Sequence, residues 1–389
     1  MSTFTGADFY SLDELLSADD VALRDRVRGW VSERFMPLIR QHYAAGTFPT
    51  ELVPELAKLD AFGATIRGHG CAGRSNLAYG IVMRELERGD TGLRTFASVQ
   101  GALAMNAING FGSEEQKQHW LPRMARGEAI GCFGLTESGF GSNPAGMMTT
   151  ARKTSDGYVL DGEKMWIGLG TIADVAVVWA KLDGIVRGFL VEKGTRGFIA
   201  EDITGKLSMR AAIVSKLRFE ECCAPETALM PKTEGLKSAL QCLNHARYGI
   251  AWGAIGSAMA CYDEARSYAL ERIQFGKPIA SFQLVQRKLA LMLTEITKAQ
   301  LLAFRLAQLK DEGKATHAQI SMAKRNNVEM AIDVARAARE ILGAVGILDE
   351  HQCMRHACNL ESVKTYEGTD DMHLLILGQH ITGISAFAE

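Results

Sequence analysis

Tyr366-Glu367-Gly368-Thr369 is the stretch of this chain best equipped for chemistry. It follows a polar, helix-like run and precedes an apolar one holding Met372, Leu374, Leu375, Ile376 and Leu377. A carboxylate at such a break is held by backbone on both sides, and Gly368 permits a tight turn and the close approach of a ligand. Among apolar groups, Glu367 would gain a raised pKa and serve as a general base. An exposed acid at a helix start is the plainer reading, and four residues alone do not exclude it. A second constellation lies upstream. Glu87, Thr91, Arg94 and Ser98 fall at i, i+4, i+7 and i+11, so they share one face if the stretch is helical. Gly89 and Gly92 count against an uninterrupted helix, and a solvated charged stripe accounts for the spacing as well as a pocket does.

Other groups can hold phosphate. Arg272 offers bidentate donors, Gln274 adds an amide, and Phe275 can pack on a ring. Gly343-Ala-Val-Gly346 follows a long helical pattern and can present backbone N–H groups. Gly168-Leu-Gly170-Thr-Ile-Ala173 fits the dinucleotide fingerprint, but that motif needs a helix directly after it, and Asp174 to Ala180 reads as a strand. A nicotinamide site is therefore not expected. Cys353, His356 and Cys358 invite a metal reading, yet no second cluster follows at ligand spacing. No metal is expected.

The elements that must position these groups form three blocks. From residue 12 to about 128 apolar residues recur at helical spacing, as in Leu12, Leu15, Leu16, Val21, Leu23, Val27 and Trp30. Ser113-Glu-Glu-Gln116 has the spacing of a capping box. From Gly131 to about 235, short β-rich runs alternate with turn pairs. Asp156-Gly157 and Asp161-Gly162 predict hairpin turns, and Val175–Ala180, Gly188–Val191 and Lys216–Glu220 predict strands. Helical patterns return over Ser238–Tyr268, Phe282–Glu312, Ala318–Leu342 and a shorter run ending near Lys364. The expected domains are 1–130, 131–235 and 236–389: helical, a β-barrel or sandwich, and a four-helix bundle, an α+β chain as a whole.

The 389 residues, 47% of them apolar, allow more than one core. A net charge of -2 gives no global field for nucleic acid or an anionic membrane. The N-terminal MSTFTGADFYSLDELLSADD is acidic and lacks an apolar segment, which points away from a secretory signal or a transit peptide. No apolar run is long enough to span a bilayer. The eight cysteines are scattered, which fits free thiols in a reducing compartment. The expected location is the cytoplasm of a bacterium, or the mitochondrial matrix if a leader was removed.

The C-terminal string, from Thr365-Tyr-Glu-Gly-Thr-Asp-Asp-Met-His373 through Leu-Leu-Ile-Leu-Gly-Gln-His-Ile-Thr-Gly-Ile-Ser-Ala-Phe387, resembles that of the glutaryl-CoA dehydrogenases, a branch of the acyl-CoA dehydrogenase superfamily. Arg247-Tyr-Gly-Ile-Ala-Trp-Gly253, Arg272-Ile-Gln-Phe-Gly276, Gly131-Cys-Phe-Gly-Leu-Thr-Glu137 and Arg187-Gly-Phe-Leu-Val-Glu-Lys-Gly194 extend the likeness over nearly the whole chain. The resemblance implies FAD as cofactor and Glu367 as the base. It implies Arg94, with Glu87, Thr95, Ser98 and Tyr366, as the acyl pocket, where Arg94 anchors a distal carboxylate. Asn244, Arg247 and Ser142 would face the CoA arm, Gly368 would contact the substrate, and the Glu367 backbone N–H together with a flavin hydroxyl would polarise the thioester. FAD would be held by Phe133, Leu135, Thr136, Gly141, Ser142, Trp166, Gly168 and Thr369. From across a subunit boundary Arg272, Gln274, Phe275, Gln283, Gly343 and Gly346 would complete its site. A homotetramer and an electron-transferring flavoprotein as acceptor are also implied.

The chain departs from that family at several positions. Trp166-Ile167-Gly168-Leu169 stands where Trp-Ile-Thr-Asn is usual, so a hydroxyl is missing; Asn143 replaces Asp, Ala344 replaces Gly, and Arg67-Gly-His-Gly-Cys-Ala-Gly73 replaces a Gly-Gly stretch. Three readings therefore stand: oxidative decarboxylation of glutaryl-CoA, dehydrogenation of another acyl-CoA or carrier-bound acyl group, or a non-catalytic flavin- or thioester-binding protein. Retention of Glu367 favours an enzyme, because a binding module needs no base.

Overall fold

The computed structural model describes Phe4 and residues 6–386; Phe387, the end of the C-terminal string, lies outside the described residues. Seven helices come first: α1 (Ala18–Trp30), α2 (Met36–Ala45), α3 (Val53–Ala57), α4 (Asn76–Gly89), α5 (Thr91–Ala97), α6 (Asn106–Phe111) and α7 (Glu114–Ala125). The capping box forms as its spacing predicts. Ser113 Oγ accepts from the Gln116 N–H at 3.2 Å, and Gln116 Oε1 accepts from the Ser113 N–H at 2.9 Å.

Strands β1 (Gly131–Gly134), β2 (Thr150–Thr154), β3 (Gly157–Gly168), β4 (Val175–Leu182), β5 (Ile185–Glu192), β6 (Phe198–Asp202) and β7 (Val214–Pro225) make one mixed sheet in the order β1-β4-β2-β3-β7-β6, with β5 also on β4. Asp156 turns the β2–β3 hairpin as expected. Asp161-Gly162 does not turn the chain. It lies inside β3, where the register against β7 shifts and Gly162 adopts φ 140°. A glycine that supplies positive φ serves a bulge as readily as a reversal.

The C-terminal part holds α8 (Leu236–Glu271), a small hairpin β8 (Ile273–Gln274) with β9 (Lys277–Pro278), α9 (Gln283–Asp311), α10 (His317–Leu342), α11 (Cys353–Thr365) and α12 (Asp370–Thr382). Trp179, Tyr248, Phe35, Phe96 and Leu23 are fully buried, each contributing about 1.5–3 kcal/mol relative to exposure. Helices α4 and α8 cross in contact because α8 has glycines at the crossing. A β-carbon at Gly253 would run into Glu87 Oε2, and one at Gly256 into the Arg84 carbonyl. No helix among the described residues is long and apolar enough to cross a membrane.

The stretch expected as one helical face from Glu87 to Ser98 is not one helix. Asp90, at φ -166°, breaks it and caps α5 by accepting from the Gly92 N–H at 2.7 Å. A π-helical stretch, Ser98–Met105, continues from α5. The face expected of one helix is thus shared among α4, α5 and the π-helical stretch, and π-helical turns are common at functional sites.

Candidate active site

The turn between α11 and α12 is where Glu367 lies. Glu367 adopts φ 53° and Gly368 φ 99°. A non-glycine residue in the left-handed region costs about 1–3 kcal/mol and persists only where its surroundings hold it. Two cations do so, the half-buried Arg247 and the buried Lys324. Arg247 Nε donates to the Glu367 carbonyl at 2.7 Å, and Lys324 Nζ donates to the Gly368 carbonyl at 2.9 Å. A β-carbon at position 368 would stand 3.0 Å from His373 Nε2 and 3.3 Å from Arg247. The plainer reading of Glu367 fails here: its Oε2 is shielded from solvent and has no hydrogen-bond partner. Burial pushes the carboxyl up to about 7, against the opposing pull of Arg94, Arg247 and Lys324. A base with such a value accepts a proton readily at neutral pH.

Arg94 closes the other side. Its Nε donates to Glu87 Oε2 at 2.6 Å, and Nη2 donates to the Tyr366 hydroxyl. Thr91 and Ser257 hydroxyls complete the Glu87 carboxylate at 3.1 and 3.3 Å. Although burial works against its charge, the surrounding Glu87 and Tyr366 leave the guanidinium well above its ordinary range. Nη1 has no acceptor among the described residues. The buried hydroxyls of Thr95, Ser98 and Tyr79 make no hydrogen bond of good geometry, although Thr95 lies near Tyr366 and Ser98 near Tyr79. A face of orphaned donors around a fixed cation awaits a polar ligand. The structure thus unites Glu367, Tyr366, Arg94, Glu87, Thr95 and Ser98, drawn from α4, α5, the start of the π-helical stretch and the α11–α12 turn.

The remaining sequence-nominated residues are spread over several elements. Phe133 and Leu135 are buried, while Gly141 and Ser142 are exposed in the loop after β1. Asn244 Oδ1 accepts from Arg247 Nη1 at 3.4 Å. Thr369 spends its hydroxyl on the α12 N-cap, accepting from the Met372 N–H at 3.2 Å. Arg272, Gln274, Phe275, Gln283 and Gly343 are exposed on the β8–β9 hairpin and at the ends of α9 and α10, while Gly346 is buried. Within one chain they are not gathered onto the Glu367 pocket.

Residues 17–128, 132–222 and 233–382 match the models for the N-terminal, middle and C-terminal domains of acyl-CoA dehydrogenase. The chain belongs to the acyl-CoA dehydrogenase family. It is 34% identical to the mitochondrial short-chain specific acyl-CoA dehydrogenase of Homo sapiens, over 91% of this chain and 88% of that protein. A crystal structure of glutaryl-CoA dehydrogenase from Mycobacterium smegmatis shares 50% identity over 99% of this chain and 100% of its own, with a TM-score of 0.97. A second M. smegmatis structure, a glutaryl-CoA dehydrogenase in complex with FADH2, shares 47% identity over the same shares of the two chains, also with a TM-score of 0.97. As an acyl-CoA dehydrogenase the protein is an FAD-dependent oxidoreductase.

The residues present fit a flavin. Trp166 is 60% exposed on a φ of 64°, at a bulge between Lys164 and Ile167 that turns the indole out of the sheet. The Thr136 carbonyl accepts from the Met165 N–H at 2.8 Å, which leaves its own N–H and hydroxyl without partners among the described residues. Behind them lies a pair the sequence reading did not single out. Buried Lys164 Nζ donates to Glu137 Oε1 at 2.8 Å, and Glu137 also accepts from the Met148 and Thr149 N–H groups at 2.6 and 3.0 Å. This brace ties the Thr136 loop to the Trp166 strand. Lys324 and His373 were also passed over. Only burial distinguishes them from surface residues at helical spacing.

The Gly168 departure sits against a close neighbour. A β-carbon there would lie 2.9 Å from Val99 Cγ2. Gly168→Thr should destabilise the protein by roughly 1–3 kcal/mol through overpacking, and Val99→Ala should recover most of it. Thermal unfolding of the two single variants and the double at one FAD concentration checks this; simple additivity would reject the contact.

Proposed function

We propose that this acyl-CoA dehydrogenase oxidises glutaryl-CoA and releases carbon dioxide to give crotonyl-CoA. The observation that carries the reading is Arg94, buried beside the unpartnered hydroxyls of Thr95 and Ser98 and sharing Tyr366 with the Glu367 turn. Its free Nη1 is suited to a distal carboxylate. The similarity to M. smegmatis glutaryl-CoA dehydrogenase supports the same substrate.

Glu367 takes the proton from the carbon next to the thioester. The Glu367 N–H, which has no acceptor among the described residues, stands ready for the thioester oxygen as enolate charge grows. FAD, when bound, accepts the hydride from the neighbouring carbon. The unsaturated product then loses its γ-carboxylate, and the electron pair delocalises into the thioester. Protonated Glu367 returns its proton to the γ-carbon. Arg94 orients the carboxylate, and it aids the reaction only if it does not bind the ground state as tightly as the transition state.

An electron-transferring flavoprotein is the proposed acceptor. A homotetramer is proposed because Phe275, at 92% exposure, and the exposed Leu284 and Ile381 leave apolar surface on the C-terminal helices and hairpin. There the exposed Arg272, Gln274, Gln283 and Gly343 would serve a neighbouring subunit's FAD.

The likeness to a short-chain enzyme favours a second reading, dehydrogenation of an unbranched acyl chain without decarboxylation. Anaerobic titration with glutaryl-CoA and butyryl-CoA separates the two. Glutaryl-CoA should bleach the flavin at the lower concentration and release carbon dioxide. Bleaching by butyryl-CoA alone would overturn the proposal.

A further inference from the structure

Lys324 has no evident structural reason to be charged. It projects from the N-terminal third of α10, is 1% exposed, and makes one hydrogen bond, to the Gly368 carbonyl at 2.9 Å. Its other two donors have no acceptor among the described residues. A buried ammonium held only by a neutral carbonyl is costly, and a methionine would fill the same volume.

The groups around it explain the charge. Arg247 faces it from α8 and Arg94 from α5; Glu367 faces it from the α11–α12 turn, and Asp370 and His373 from the start of α12. Asp370 accepts from Arg325 Nε at 3.2 Å and so has its own cation. His373 is neutral, because burial and the adjoining Lys324 and Arg247 push it down to about 3, against the opposing pull of the nearby Gly368 backbone. Glu367 is therefore the carboxylate left to Lys324.

We propose that Lys324 is a positioning residue for Glu367: it clamps the Gly368 carbonyl to hold the left-handed turn, and its ammonium favours the ionised state of the buried carboxyl. The proposal rests on Glu367 as the base. Burial draws Lys324 down and pushes Glu367 up, and each opposes that shift in the other: the carboxylate favours the ammonium and the ammonium the carboxylate. When Glu367 accepts the substrate proton, the ammonium loses its counter-charge. Return of that proton is then favoured, as the second half of the reaction needs.

The test reads the proton directly. In the FAD-loaded enzyme without substrate, the infrared carboxyl stretch of Glu367, assigned by subtracting Glu367→Gln, is followed against pH. Lys324→Met should move its midpoint upward by about one pH unit or more, as expected on losing a nearby opposite charge. Lys324→Arg should hold the midpoint at or below the wild-type value. The acid limb of kcat/KM for glutaryl-CoA should move with the midpoint. An unmoved midpoint in folded, FAD-containing Lys324→Met overturns the proposal. So does a raised midpoint in Lys324→Arg, which decides the matter if the methionine variant does not fold. Failure of glutaryl-CoA as substrate would leave the infrared titration intact, so the two failures are distinguishable.

Discussion

Glu367→Gln should keep FAD bound and lose flavin reduction by glutaryl-CoA, by at least the roughly 10²–10⁴-fold attributed to a positioned base. The amide preserves the shape of the turn held by Arg247 and Lys324, because both cations bond backbone carbonyls rather than the carboxyl. In the wild type the reductive rate should rise with pH through about 7, since the ionised form is the base. The effect on stability has the opposite sign. The folded carboxyl holds its proton more tightly than the unfolded one, so its contribution is most favourable at low pH and declines as pH rises toward 7. Glu367→Gln should therefore unfold at an equal or higher temperature than wild type at pH 8. Stopped-flow flavin absorbance and thermal unfolding check the two statements. A variant that still bleaches at the wild-type rate would reassign the base.

Removing the Arg94 guanidinium should do two separable kinds of damage. Arg94→Met leaves Glu87 buried and unpaired, which costs about 3–5 kcal/mol when a buried ion loses its partner. Glu87→Met with Arg94→Met removes both charges and should recover most of that stability, because well-packed apolar pairs replace buried ions at little cost. Neither variant should recover glutaryl-CoA. Losing a hydrogen bond to a charged group is worth about 1.5–3 kcal/mol, so kcat/KM for glutaryl-CoA should fall at least roughly 10- to 100-fold relative to butyryl-CoA. Chemical denaturation and paired substrate kinetics make the comparison. Unchanged selectivity in a stable double variant would remove Arg94 as the anchor.

Much of this was legible before any coordinates. The α, β, α order follows from period, since apolar residues at helical spacing give way near Gly131 to short β-rich runs and return near residue 236. Ser113 and Gln116 announced their cap because a capping box is local, and Glu367 stood out because glycine follows it at a change of pattern. Local signals misled where one residue type serves two geometries. Asp161-Gly162 carries the signature of a turn, yet the chain uses the positive φ of Gly162 for a bulge. The Glu87–Ser98 spacing was read on one helix, whereas Asp90 ends α4 and caps α5.

By itself the sequence determined the three blocks, the family and the acid at position 367, because periodicity, turn chemistry and long ordered motifs are written along the chain. Tertiary structure decided what that acid is. Arg247 lies 120 residues away from Glu367 in sequence, and Lys324 lies 44 from Gly368. Their charges reach the carboxyl only after α8 and α10 pack against the turn. Burial and Coulomb interaction depend on distance through space, and no local pattern encodes that distance.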